Sequence, residues 1–261
     1  MRKVNVSNLK SKLANRELVF GAWMSFSHPS IAEIFSSGEF DLLAIDMEHT
    51  TISLEQAQRI IAASQSFGVP CLPRPVSHSN DWIKPLLDSG ADGIIAPLVN
   101  SRELSVNLRD LIKYPPMGKR SFGVNRAHGY GKDFDNYLQE WNGASVYIAQ
   151  IENIEGLENI DQILETENLD GVMIGPYDMS GSLGVPGQTQ HPRVLEAEKT
   201  IIEACLRSNK SCGTQLAQFT SSNVQKAIDK GYTLIFASSD LFILNDWTQD
   251  AVKIIREVTT K

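Results

Sequence analysis

Cysteine is scarce in this chain of 261 residues, with only Cys71, Cys205 and Cys212 present. An odd, widely spaced set without a CxxC pair argues against a disulfide framework and offers no thiolate clamp for zinc. Long apolar runs are missing as well. Nothing approaches the roughly 20 residues that span a bilayer, and the amino-terminal stretch MRKVNVSNLKSKLANRE has no signal-peptide apolar core. The expectation is a cytoplasmic protein with no membrane partner. Basic residues are outnumbered 24 to 31, for a net charge of -7, which argues against a nucleic-acid partner held through phosphates. A small anionic substrate would then need locally gathered cationic groups. Low-complexity tracts and Gly/Ser linkers are absent, so residues 1–261 read as one domain. No strand-turn GxGxxG fingerprint appears, which disfavours a doubly wound open sheet binding a dinucleotide.

What is present is alternation. Eight short apolar or β-branched runs recur: LVFGAWMSF (18–26), DLLAIDM (41–47), VPCLPRP (69–75), DGIIAPL (92–98), SVYIAQI (145–151), LDGVMIG (169–175), SCGTQLA (211–217) and YTLIFAS (232–238). Between them lie amphipathic stretches such as PSIAEIFSSG, SLEQAQRIIAASQSFG, SNDWIKPLLDSG and SSNVQKAIDKG, which often open on Ser or Asn and close on Gly, the residues of helix caps. Strand and helix in strict turn make an α/β protein with a parallel sheet. Eight units in about 250 residues close most economically into a single (β/α)8 TIM barrel.

Barrel chemistry gathers at the carboxyl ends of the strands. The polar residues of this chain fall there repeatedly: Asp46, Glu48 and His49 after the second run, Arg74 after the third, Gln150 and Glu152 after the fifth, Asp178 after the sixth, with Trp23 walling the first. Taken singly, Glu152 and Asp178 read equally as helix-capping acids, Arg74 as a structural ion-pair partner and His49 as a loop-capping histidine. Asp46 either orients His49 or closes its strand end. Their joint placement at one end of successive strands favours a pocket. Two carboxylates there suit a hard divalent cation that leaves positions open for substrate. A Schiff-base route is disfavoured, because Lys84, Lys113, Lys199, Lys226 and Lys230 lie on helical or loop segments and none ends an apolar strand.

The ordered motifs IDMEH, PRP, QIEN, GPYDMS and GVPGQTQHP, within a stretch from about Gly21 to Asp240, resemble the HpcH/HpaI aldolase family of class II, metal-dependent pyruvate aldolases. The resemblance implies Glu152 and Asp178 as ligands of Mg2+, Mn2+ or Co2+, with pyruvate's carboxylate met by the backbone around Gly175, Tyr177 and Asp178. It implies that Arg74 adds positive charge at the keto oxygen, and that His49 manages the C4 hydroxyl proton with Asp46 setting its tautomer. Gln150 would hold a water beside the metal, and Asp88 would approach the histidine of a neighbouring subunit. It further implies a homo-oligomer, a hexamer, with a carboxyl-terminal helix exchanged between subunits; the apolar positions of LFILNDWTQDAVKIIREV agree with this. The implied reaction is reversible cleavage of a 4-hydroxy-2-oxo acid to pyruvate and an aldehyde through a metal-stabilised enolate. An acyl-CoA lyase of the citrate-lyase beta type, an oxaloacetate decarboxylase sharing the enolate, and a catalytically retired barrel are the alternatives.

The segment YPPMGKRSFGVNRAHGYG (114–131) is rich in Gly and cationic groups and reads as neither helix nor strand. Arg120, Arg126 and His128 there would either meet the hydroxyls or distal carboxylate of the aldehyde half, or build a structural or subunit-contact loop. Its RA pair is closer to sugar-acid members of the family. Tyr177, where a small residue is common, and a polar Gln215 on the seventh strand depart from the better-known members. Gln215 points to a hydroxylated aldehyde.

Overall fold

The computed structural model describes residues 6–260; Met1–Asn5, part of the segment read for a signal peptide, and Lys261 lie outside the described residues. In chain order the elements are α1 (Val6–Ala14), β1 (Val19–Met24), α2 (Pro29–Ser36), β2 (Leu42–Asp46), α3 (Leu54–Ser66), β3 (Cys71–Arg74), α4 (Asn80–Asp88), β4 (Gly93–Ala96) and α5 (Arg102–Ile112). A 3-10 turn (Arg126–Gly131) follows. Then come α6 (Phe134–Ala144), β5 (Val146–Ile151), α7 (Ile154–Glu158), α8 (Ile160–Leu164), β6 (Gly171–Ile174), α9 (Pro176–Ser182), α10 (Pro192–Arg207), β7 (Ser211–Leu216), α11 (Ser221–Lys230), β8 (Leu234–Ala237) and α12 (Asp240–Thr259).

Each apolar run of the sequence contains one strand. The sheet order is β3-β2-β1-β8-β7-β6-β5-β4, and every recorded pairing is parallel. Its two ends meet where Asp92 N donates to Cys71 O at 2.9 Å and Cys71 N donates to the Asp92 carboxylate at 2.8 Å. The result is a nearly closed (β/α)8 barrel.

Strand side chains alternate between faces, and the alternation divides the buried apolar residues into two clusters. Val19, Trp23, Leu42, Ala44, Leu72, Ile95, Val146, Ile148, Met173, Leu234 and Phe236 fill the barrel interior. Ala22, Leu43, Ile45, Cys71, Ile94, Tyr147, Val172 and Ile235 point outward under the helices. Phe236 is fully buried edge-on to Trp23, so its truncation to Ala would cost roughly 3–5 kcal/mol. At the amino-terminal end, α1 stoppers the barrel. Its Leu9 and Leu13 join the interior cluster, and its Lys10 ammonium binds Asp170 at 2.8 Å and Ser145 O at 2.9 Å.

Helix ends follow the cap chemistry of the sequence. Ser53 and Gln56 form a reciprocal capping box on α3, and Ser79 and Ser101 cap α4 and α5. For α11 the cap is Thr220, one residue before the expected serine, while Gly231 closes it with the left-handed backbone (φ 106°) that glycine adopts freely.

Candidate active site

The period-two parity that puts Ala44, Leu72 and Ile148 inside the barrel also puts Asp46, Arg74, Gln150 and Glu152 on its inner face at the carboxyl-terminal mouth. All four are buried, with Glu152 only 2% exposed. Arg74 is their centre. Its Nε donates to Asp46 Oδ1 at 3.1 Å, Nη2 to Asp46 Oδ2 at 2.8 Å, and Nη1 to Gln150 Oε1 at 3.3 Å. Gln150 Nε2 then donates to Glu152 Oε2 at 2.6 Å, and Leu98 N donates to Glu152 Oε1 at 2.7 Å. Below the guanidinium lies the Trp23 ring, 5.0 Å from centroid to Cζ, where the ring face attracts a cation.

Glu48 supplies a further acid. Its buried Oε2 lies 3.2 Å from Arg74 Nη1 and 3.7 Å from His49 Nε2, yet it has no hydrogen-bond partner of good geometry. Burial raises the Glu48 carboxyl above its ordinary range against the pull of Arg74. Glu152 is pushed up to about 7, first by burial and then by the charges of Glu48 and Asp178, which outweigh the Leu98 N–H and Arg74. The mouth thus gathers several acids, Asp46, Glu48, Glu152 and the nearby Asp178, around one arginine, and burial with mutual repulsion disfavours their ionisation unless a cation joins them. That crowding of acids, and the unpartnered Glu48 oxygen, fit a hard cation drawn to carboxylate oxygens. Among the described residues no group of three or more His, Cys, Asp or Glu side chains is gathered to enclose a metal. Asp178 stands near enough to Glu152 for its charge to act on that carboxyl.

Gly175 explains how Glu152 fits. A Cβ at this position would overlap Glu152 Oε2 and sit 2.8 Å from Glu152 Cβ and 3.0 Å from Gln150 Nε2. Just beyond it, Asp178 and Tyr177 stand exposed in the first turn of α9. The exposed His49 follows β2, and half-buried Gln215 on β7 donates to Ser238 O at 3.1 Å.

One expected contact is not made, and two groups of the predicted residues stand away from the mouth within the chain. Asp46 does not touch the His49 ring: its carboxylate is occupied by Arg74 and by the backbone N–H groups of Glu48 and His49, at 3.1 and 3.3 Å. Asp88 ends α4 at the opposite end of the barrel, where Arg120 Nη2 donates to it at 2.8 Å. Arg126 lies at that end too, donating to Gln65 at 2.7 Å and Ser89 O at 3.0 Å, and His128 is fully buried against Tyr114. Arg120 is sandwiched among Tyr114, Tyr137 and Trp141. Within the chain, then, the cationic 114–131 segment builds the amino-terminal face. Glu48 stands at the mouth where the sequence reading put it, with no role assigned to it there; the mouth group that reading missed is the Leu98 N–H, which carries no side-chain signal.

Inward acids and an arginine at the carboxyl end of a parallel eight-stranded barrel form the mouth at which barrel enzymes carry their active sites. The chain belongs to the HpcH/HpaI aldolase/citrate lyase family, which it matches over residues 19–245. Its activity is that of a carbon–carbon lyase. It is 35% identical to the hydroxypyruvate/pyruvate aldolase of Roseobacter denitrificans over 243 residues, 92% of this chain and 93% of the relative. To the 2-keto-3-deoxy-L-rhamnonate aldolase of Salmonella typhi it is 31% identical over 254 residues, 95% and 93% of the two chains. The crystal structure of a family member from Burkholderia cenocepacia superposes with a TM-score of 0.89 at 27% identity, covering 95% of this chain and 99% of the other. Among the described residues no helix is long and apolar enough to cross a membrane.

Proposed function

We propose that this enzyme cleaves a 4-hydroxy-2-oxo acid reversibly to pyruvate and an aldehyde. The observation that carries the reading is Arg74, fixed by Asp46 and Gln150 beside the Glu152 carboxylate, so that one rigid cation faces the mouth. When the C3–C4 bond breaks, its electron pair passes to C3 and the 2-oxo group becomes an enolate. The Arg74 guanidinium stabilises the charge arriving on that oxygen without reorienting. His49, exposed at the rim, takes the C4 hydroxyl proton as the aldehyde carbonyl forms, and the enolate is protonated at C3 to give pyruvate. Glu152 and Asp178 would hold a divalent cation, Mg2+, Mn2+ or Co2+, whose Lewis acidity adds to the stabilisation of the keto oxygen. Trp23, 2% exposed, closes the floor against water, and Gly175 leaves room for the Glu152 carboxylate and the Gln150 amide.

The 2-keto-3-deoxy-L-rhamnonate aldolase relative and the polar Gln215 support a hydroxylated aldehyde half. The hydroxypyruvate/pyruvate aldolase relative supports a pyruvate-like donor. A homo-oligomer with exchanged α12 belongs to the same reading. Leu241, Ile243, Leu244, Trp247, Ile254 and Ile255 are exposed along that helix, and an apolar groove between Phe20, Phe40, Phe219 and Val224 offers it a seat on a second copy. Asp88 would reach a mouth only across such a contact. The enolate chemistry is tested without knowing the aldehyde by following pyruvate in D2O with Mn2+-loaded enzyme. Deuterium should enter the methyl group, and Arg74→Ala should stop it; an unexchanged methyl signal with the native enzyme would overturn the reading.

A further inference from the structure

The Glu152 carboxylate is held at Oε1 by a main-chain N–H, and that N–H belongs to an unusual residue. Leu98 has φ 50°, in the left-handed region that a branched side chain seldom adopts, and its side chain is exposed, so burial of the leucine does not hold the conformation. Something else must. On its carboxyl side, Val99 N donates to Gln150 O at 3.0 Å. On its amino side, the His78 ring reaches over from the loop between β3 and α4 to the carbonyl of Pro97, with Nε2 2.6 Å from the oxygen. A carbonyl only accepts, so Nε2 carries the proton.

We infer that His78 is a positioning residue for the metal-holding carboxylate: by clamping the Pro97 carbonyl it keeps Leu98 left-handed and its N–H aimed at Glu152 Oε1. The inference rests on the proposed role of Glu152 as a cation ligand. Groups that orient a ligand set its affinity, commonly by a factor of 10 to 100. The arrangement also joins the ends of three successive strands, since β3 leads to His78, β4 to Leu98 and β5 to Glu152. A shift in the loop after β3 is thereby passed to the carboxylate through one hydrogen bond and one peptide unit.

The test compares the native enzyme with His78→Ala and His78→Gln, the latter returning an N–H donor. Hydrogen–deuterium exchange on metal-free protein should show the amide of Leu98 exchanging faster in the alanine variant and near the native rate in the glutamine variant. Mn2+ titration by calorimetry should show affinity about tenfold weaker for alanine, largely restored by glutamine. Native Mn2+ affinity in His78→Ala, with an unchanged Leu98 amide, would overturn the inference and leave the metal reading intact. Failure of the native enzyme to bind Mn2+ would overturn both. If His78→Ala does not fold, His78→Gln beside His78→Leu, which fills the space without a donor, gives the same comparison.

Discussion

Arg74 grips Asp46 with two hydrogen bonds, at 3.1 and 2.8 Å, across a register in which the two residues are direct partners on adjacent parallel strands. Both are buried, and the pair fixes the plane of the guanidinium at the mouth. Lysine cannot reproduce that fork. Arg74→Lys and Arg74→Ala should each lower kcat by roughly 10²–10³-fold while leaving metal affinity nearly native. Steady-state kinetics beside Mn2+ titration checks this; an equal loss of metal affinity would make Arg74 a structural residue.

Removing the other member leaves Arg74 buried without its partner. Asp46→Ala should lose roughly 3–5 kcal/mol of stability, read by urea unfolding.

Gly175→Ala tests the crowding at Glu152. The added methyl overlaps the carboxylate, so metal affinity should fall roughly 10- to 100-fold while circular dichroism stays native.

Asp92 gives the fold a pH dependence. Burial raises its carboxyl from 3.8 to about 6, against hydrogen bonds from Cys71 N and Gln65 and the charge of Arg126. Between those values the folded state holds a proton that the unfolded state has released. Its contribution is therefore fully present below about pH 4 and is lost as pH rises to about 6, on the order of 3 kcal/mol. Asp92→Asn should remove this decline, seen as the difference between native and variant urea curves from pH 4 to 7.

The exposed apolar face of α12 predicts association. Light scattering at micromolar concentration should give an oligomer, and Trp247→Asp, at a side chain 70% exposed, should shift it toward monomer. A native monomer would remove the exchange proposal.

The barrel was legible because its strands are short apolar runs separated by capped amphipathic helices, and the helix ends at Ser53, Ser79 and Ser101 carry their own chemistry. The mouth was legible in part for the same reason: parity along QIEN and LPRP places Gln150, Glu152 and Arg74 inward once Ile148 and Leu72 are inside. The 114–131 segment was not, because nothing local tells a substrate-facing arginine from one sandwiched among Tyr114, Tyr137 and Trp141; that depends on α6, which follows in the chain. Leu98 was invisible for a different reason. It contributes a peptide N–H, which every residue but proline possesses.

The most direct measurement is pyruvate release from a panel of 4-hydroxy-2-oxo acids, coupled to lactate dehydrogenase, after EDTA stripping and resupply of Mg2+, Mn2+ or Co2+. The account predicts release that vanishes on stripping and returns with metal in the native enzyme but not in Glu152→Gln or Asp178→Asn. Release that survives chelation, or that persists in both variants, would contradict it.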